Sequence, residues 1–305
     1  MPDISVIICT YNREKYIAEA LESIKNQGLP ADTYEVIVVD NNSKDQSGEI
    51  IKSFIASNPV LSFIYYLETS QGLSHARNAG IALAKGKIIC FIDDDAITGK
   101  DFLGEIISFF DKYPDAGAVG GKVIPRFVEG EPEWLSKYVR KVVSEIDFGH
   151  YIHVLTGRRY PFGANMSFRA EIFQKYGKFH PDLGRKGNSL MGGEEKDLFD
   201  RMKNGGEKIY YDPDIFVWHI IDPHRLTEDY LMRFCRGVGV SERVRLKDKG
   251  MAARTAKWID NKTKRAGSLV LGALYYIKGQ PVKGKMIMDV MRWIEEGYDD
   301  DSVEV

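Results

Sequence analysis

The first 125 residues alternate short apolar runs with amphipathic stretches, and this alternation constrains the fold more than any other feature. The runs at 4–9 (ISVIIC), 34–39 (YEVIVV), 62–67 (SFIYYL), 87–92 (KIICFI) and 116–124 are rich in Val, Ile, Tyr and Phe, as strands are. Several are apolar throughout, the pattern of parallel strands covered on both faces. Between the first two, Ile17, Ala20, Leu21 and Ile24 recur at spacings of 3, 4 and 7 and mark one face of a helix over 14–26. Residues 45–56, 73–84 and 102–110 carry further helical patterns. The β-α-β-α order predicts an α/β fold, a doubly wound and mostly parallel sheet flanked by helices.

The regularity breaks after Pro125. The spacing predicts a helix near 134–143, a strand near 151–155 and a short helix over 170–176. A Gly-rich loop at 184–193, a helix at 194–203 and strands at 208–211 and 215–221 follow. From about residue 227 the chain reads as mostly helical. With 305 residues, 44% hydrophobic and 28% charged, the chain has ample material for a core, which excludes disordered, collagen-like and coiled-coil classes. Its formal net charge of −2 argues against nucleic acid as a partner. The three cysteines, Cys9, Cys90 and Cys235, are odd in number and read as reduced thiols. Met1-Pro2-Asp3 leads straight into an apolar run without the basic start and cleavage site of a signal peptide, so a cytoplasmic location is expected.

In an open parallel sheet, ligands bind beyond the carboxyl ends of the strands. Polar clusters follow three of the runs: Thr10-Tyr11-Asn12-Arg13, Asp40-Asn41-Asn42-Ser43 and Asp93-Asp94-Asp95. Each alone fits ordinary turn and cap chemistry, but all three fall on one sheet edge. In an extended chain Asp93 and Asp95 share a side and Asp94 points away. Two carboxylates about 4 Å apart repel by up to about 4 kcal/mol at an effective dielectric near 20. A divalent cation removes that repulsion, and carboxylate oxygens suit Mg²⁺ or Mn²⁺. The alternative is an acidic loop capping the next helix. Arg77 and Asn78 are polar in an otherwise apolar helix that opens at Gly72; Arg77 suits a phosphate or carboxylate, or a surface ion pair.

The order of these motifs resembles the family 2 glycosyltransferases of the GT-A fold. The resemblance rests on ISVIICTYNRE, VIVVDNNS, GLSHARNAGI and IDDD, then GANMSFR at 163–169, GEEKDL at 193–198 and VWHIIDPHRL at 217–226, and it spans about residues 3–240. It implies a GT-A domain over 1–226, with 1–125 binding a nucleotide-diphosphate sugar and 126–226 binding the acceptor and completing the site. A helical extension occupies 227–305. The donor's nucleotide would lie against Thr10, Tyr11, Asn12, Arg13, Asp40 and Asn42, with Asp40 at the base. Arg77 and Asn78 would lie near the diphosphate or sugar, and Asp93 and Asp94 would contact the donor. Asp95 would hold the Mg²⁺ or Mn²⁺, and His219 would add a metal or phosphate contact, although in its apolar run it also reads as a core histidine. Gly163, Ala164 and Asn165 would form part of the acceptor wall. Trp134 is either a sugar-stacking platform or an interior aromatic.

The family's catalytic base is the Asp of a G-E-D motif, where this chain has Glu195. In a helix starting at residue 194, Glu195 shares a face with Leu198, Phe199 and Met202, while Glu194 is turned about 100° away. Glu195 is therefore the expected base and Glu194 its rival; both also suit a helix N-terminus. The chemistry implied is an inverting transfer to a hydroxyl of a glycan or lipid-linked acceptor, with the 184–193 loop closing over the site. A sugar nucleotidyltransferase is disfavoured, because the first strand is not followed by a Gly-rich phosphate-gripping loop. A non-catalytic sugar-nucleotide or glycan-binding protein on the same fold is the other alternative. At the C-terminus, residues 243–265 carry nine Lys/Arg against two Asp, and the apolar stretch 269–277 is too short to span a bilayer. Contact of 243–278 with an anionic membrane surface competes with a solvated helical face.

Overall fold

A computed structural model describes residues 1–187, 189–247 and 249–300. The predicted elements form in order: β1 (Ile4–Thr10), α1 (Ile17–Lys25), β2 (Tyr34–Asp40), α2 (Ser47–Ser57), β3 (Phe63–Leu67), α3 (Leu73–Leu83) and β4 (Ile88–Asp93). Then come a three-residue β5 (Ala96–Thr98), α4 (Phe102–Lys112), β6 (Ala116–Phe127), β7 (His153–Val154), β8 (Met166–Arg169), α5 (Ile172–Lys175), α6 (Glu194–Asn204) and β9 (Lys208–Ile221). The helices α7 (Glu228–Arg245), α8 (Gly250–Ile277) and α9 (Pro281–Asp299) close the described chain.

Among the described residues the strands form one sheet in the order β3-β2-β1-β4-β8-β6-β9-β5, with β7 paired to β9. The first four are mutually parallel and in register, so Thr10 lies beside Asp40, and Cys9 beside Asp93. Their side chains are almost wholly buried in β1, β2 and β4, as the unbroken apolar runs predict. Beyond β4 the pairing turns antiparallel, through β8 and β6, and β5 pairs antiparallel with β9. Strand β2 lies on one side of β1 and β4 on the other, so the strand order reverses at β1, the kind of crevice where open α/β sheets bind ligands.

Two expectations change. The stretch 134–143 is not an α-helix; it forms turns ending in a 3-10 turn, Arg140–Val143. The strands expected at 208–211 and 215–221 are one strand, β9, continuous through Asp212-Pro213-Asp214.

The chain packs as two compact units. The first is Met1–Pro125, Ile146–Pro181 and Glu194–Ile220; the second is Arg126–Glu145, Asp182–Gly193 and the stretch from Ile221 onward. The second unit has its own core, in which Leu135, Val139, Val143, Leu231, Ile287 and Trp293 are buried. Trp134 is half-buried against this core. Of the basic residues in 243–265, Lys262 and Arg265 pair with Glu295 of α9, and Arg245 and Lys257 pair with Glu242 of α7. The basic stretch is thus neutralised in part by carboxylates of α7 and α9. The outer side of α8 leaves Ile259, Val270 and Ile277 exposed. No helix among the described residues is long and apolar enough to cross a membrane.

Candidate active site

The three polar clusters meet at the carboxyl edge of β2, β1 and β4. The loops after β1 and β2 are stitched together: Asn12 Oδ1 accepts from the Lys44 N–H at 2.7 Å, Ser43 Oγ from the Asn12 N–H at 3.0 Å, and Ser47 Oγ from the Arg13 N–H at 2.8 Å. Asn12 and Asn42 both adopt left-handed backbone, φ 55° and 63°, a conformation Asn tolerates. Asp40 is buried, its carboxylate accepting from the Ser43 N–H at 2.8 Å and the Tyr65 hydroxyl at 2.9 Å. Thr10 is buried at the end of β1, and Tyr11 is half-buried just beyond it.

The Asp triplet sits in the tight turn between β4 and β5. Asp93 and Asp95 converge on His219 of β9, whose Nε2 is 3.0 Å from Asp95 Oδ1 and 3.9 Å from Asp93 Oδ2. Strand pairing brings this about, since Ala96 on β5 lies opposite His219. One ligand atom from each of the three residues lies within 4.8 Å of the others, a group that could hold a metal ion. Two carboxylate oxygens and an imidazole nitrogen form a mixed donor set, and imidazole suits Mn²⁺ better than Mg²⁺, which prefers an all-oxygen shell. Asp94 instead faces Arg13, whose Nε is 3.4 Å from its Oδ1. Burial raises the Asp94 carboxyl to about 6 against the lowering effect of Arg13.

Next to this group stands Arg77, only 2% exposed in the first turns of α3. Its Nη1 is 2.7 Å from Glu194 Oε1, its Nη2 is 3.0 Å from Glu195 Oε1, and the same Nη2 is 4.0 Å from Asp93 Oδ1. Burial opposes its charge, but Glu195 and Glu194 outweigh that and raise its pKa. The rings of Phe91 and Phe179 lie 5.9 and 5.3 Å from the guanidinium carbon. Asn78 clamps the Phe179 main chain in both directions, donating to its carbonyl at 2.8 Å and accepting from its N–H at 3.0 Å. The sequence missed this cage: an Arg in a helix gives no hint that two Phe rings and two consecutive Glu surround it.

Glu194 does not turn away as helix geometry suggested. It is buried with Leu198, Phe199 and Met202, because Arg77 draws both carboxylates inward at the first turn of α6. Glu195 keeps 20% of its side chain exposed. Burial and the charge of Glu194 raise its carboxyl to about 7, with Arg77 pulling the other way. Gly163 donates its N–H to Glu195 Oε1 at 2.9 Å. Ala164 is buried, and Asn165 is fully buried with its amide nitrogen donating to the carbonyls of Lys122 and Ile215. Trp134 belongs to the other compact unit.

The half-buried Cys9 thiol, raised to about 12 by desolvation, is no nucleophile here. The site thus combines a group that could hold a cation with a largely buried carboxylate of raised pKa, which is the equipment for charge neutralisation and proton removal.

A family profile described as glycosyl transferase family 2 matches residues 5–181. The chain belongs to glycosyl transferase family 2. It is also 30% identical over 256 residues to the glucosyl-dolichyl phosphate glucuronosyltransferase of Haloferax volcanii, covering 79% of this chain and 76% of that one. The poly(ribitol-phosphate) β-N-acetylglucosaminyltransferase TarS of Staphylococcus aureus is 34% identical over 142 residues, 44% of this chain but 24% of TarS. Among solved structures, the mannosyltransferase PcManGT from Pyrobaculum calidifontis, in complex with GDP-Man and Mn²⁺, superposes with a TM-score of 0.68 at 19% identity, covering 99% of this chain and 88% of that one. TarS 1–349 in complex with UDP-GlcNAc gives 0.56 at 19% identity, covering 98% and 91%. These likenesses establish the GT-A fold, and this family 2 member is a glycosyltransferase.

Proposed function

We propose that the protein transfers a sugar, with inversion, from a nucleotide-diphosphate sugar to a hydroxyl of a lipid-linked glycan. The observation that carries this reading is the placement of Asp93, Asp95 and His219 beside the Arg77–Glu195 pair at the sheet's carboxyl edge. The nucleotide would lie over the stitched loops, with Asp40 towards the base and Thr10, Tyr11, Asn12, Arg13, Asn42 and Asp94 along the donor. Arg77 and Asn78, bonded to Glu195 and the Phe179 carbonyl, would build the wall of the donor site.

Asp93, Asp95 and His219 would hold Mn²⁺, or Mg²⁺ less favourably, and the cation would offset the charge developing on the departing diphosphate. The acceptor oxygen attacks the anomeric carbon as the bond to the diphosphate breaks, and Glu195 takes the hydroxyl proton. A diphosphate leaves as an anion, so no second carboxylate is needed to protonate it, in contrast with most glycosidases. Residues 1–125 would bind the donor. Gly163 and Ala164 would line the acceptor side.

The Haloferax relative, whose name specifies a glucosyl-dolichyl phosphate, supports the lipid-linked acceptor. The exposed Ile259, Val270 and Ile277 of α8 would rest against the bilayer that presents it.

A thermal-shift panel of UDP-glucuronic acid, UDP-GlcNAc and GDP-mannose, with and without Mn²⁺, tests the donor and metal together. A native-state ligand raises the melting temperature. A Mn²⁺-dependent rise with one donor, lost in Asp95→Asn, is expected; no rise with any donor would contradict the reading.

A further inference from the structure

We propose that Arg77, Glu194 and the main chain of Gly163 form a positioning device that fixes Oε1 of Glu195 and leaves Oε2 to take the acceptor's proton. This rests on the reading of Glu195 as the base. Among the described residues, both hydrogen bonds to Glu195 end on Oε1, from Arg77 Nη2 at 3.0 Å and from the Gly163 N–H at 2.9 Å. Oε2 receives none, and part of the side chain is open to solvent. With one oxygen pinned by two donors, the carboxylate plane is set and the second oxygen is aimed outward.

Glu194 is built differently. Its Oε1 takes the shorter arm of the guanidinium at 2.7 Å, its side chain is 4% exposed, and its Oε2 is buried without a hydrogen-bond partner. No acceptor hydroxyl reaches such a carboxylate, so Glu194 serves as a countercharge. Its value is electrostatic. A lone Arg beside Glu195 would hold that carboxyl strongly ionised and make it a poor base. Shared between two glutamates, Arg77 orients Glu195 while Glu194 restores its basicity. Asp93 is a further charge near Glu195, and it acts in the same direction as Glu194.

Burial and close contacts on every side hold Arg77 in this pose. The rings of Phe91 and Phe179 hold its guanidinium. At Gly163 an ideal Cβ would stand 2.0 Å from Arg77 Nη2 and 2.3 Å from Glu195 Oε1, so the backbone approaches closely only as glycine. Lys at position 77 would supply a point charge in place of a planar fork and could not grip two carboxylates at once.

The test follows the glutamate ¹³Cδ resonances of the full chain by NMR against pH, with Glu195→Gln identifying the Glu195 signal. Calorimetric binding of UDP and GDP in the presence of Mn²⁺ runs alongside. In the isosteric Glu194→Gln, the Glu195 midpoint is expected to fall by about one pH unit or more, the direction set by removing a like charge. In Arg77→Lys it is expected to rise, with nucleotide affinity within about twofold of wild type. With the donor that the thermal-shift panel selects, Arg77→Lys and Gly163→Ala are expected to lower kcat and leave the donor KM unchanged.

An unmoved Glu195 midpoint in Glu194→Gln would overturn the proposal, even if Arg77→Lys does not fold. So would an Arg77→Lys protein that loses nucleotide affinity about tenfold while Glu195 titrates as before, since Arg77 would then serve the donor. If no nucleoside diphosphate binds the wild type, the donor assignment falls, and the titration still decides the positioning role.

Discussion

Arg77 illustrates how far a single buried charge can organise a site. It is enclosed by two glutamates and two phenylalanine rings, so Arg77→Met leaves two carboxylates without their cation. Breaking a buried ion pair by removing one partner costs about 3–5 kcal/mol. Denaturant unfolding should show a loss of that order, and a loss below about 1 kcal/mol would mean the cage is not structural. Glu195 makes a second prediction. Its carboxyl is raised to about 7 by burial and by Glu194, and a base must be deprotonated to act. The rate at saturating donor should therefore be low near pH 5.5, rise through about 7 and level off above 8. A profile flat across that range would exclude Glu195 as the base. The Asp triplet was legible at this scale because three carboxylates after an apolar run need an explanation. The inward turn of Glu194 was not, because helical periodicity ranks faces by apolar neighbours and cannot see an arginine from another helix.

Elements carry these residues into place. The N-terminus of α3 is anchored by Asn41, whose amide donates to the carbonyls of Glu68 and Ser70 and whose Oδ1 accepts from the Gly72 N–H at 2.7 Å. Asn41→Ala strips these bonds and leaves the buried Gly72 N–H unpaired, at about 1–3 kcal/mol. A fall in melting temperature together with a lower kcat is expected, since α3 positions Arg77. Retained stability would show the anchor to be dispensable. The β1–β4 half was readable because parallel strands covered on both faces are apolar without interruption. The remainder was harder. Strand β8 lies inside a run of mixed polarity, Met166-Ser167-Phe168-Arg169, and β5 is only three residues long. Strand β9 was split at Asp212-Pro213-Asp214, which reads as a turn. There the Asp212 carboxylate accepts the Asp214 N–H at 3.0 Å, and the strand continues through the proline.

At the scale of the whole molecule, the C-terminal helices explain why the segregated charges of the sequence do not act as free patches. Lys262 and Arg265 are matched by Glu295, while Ile259, Val270 and Ile277 of α8 stay exposed. Deleting residues 243–305 would also remove Ile287 and Trp293 from the core of the second unit. Point substitution on the exposed stripe is the cleaner test. Val270→Glu combined with Ile277→Glu should reduce co-sedimentation with phosphatidylglycerol vesicles several-fold and leave the melting temperature unchanged. Equal co-sedimentation of the two proteins would remove the membrane from the account.

The most direct measurement compares wild type and Glu195→Gln in sugar transfer and in donor binding, with Mn²⁺ and the donor found by thermal shift. General-base catalysis contributes about 10²–10⁴-fold, so transfer should fall by that factor while donor affinity stays the same. Transfer by Glu195→Gln at the wild-type rate would contradict the assignment on which the mechanism is built.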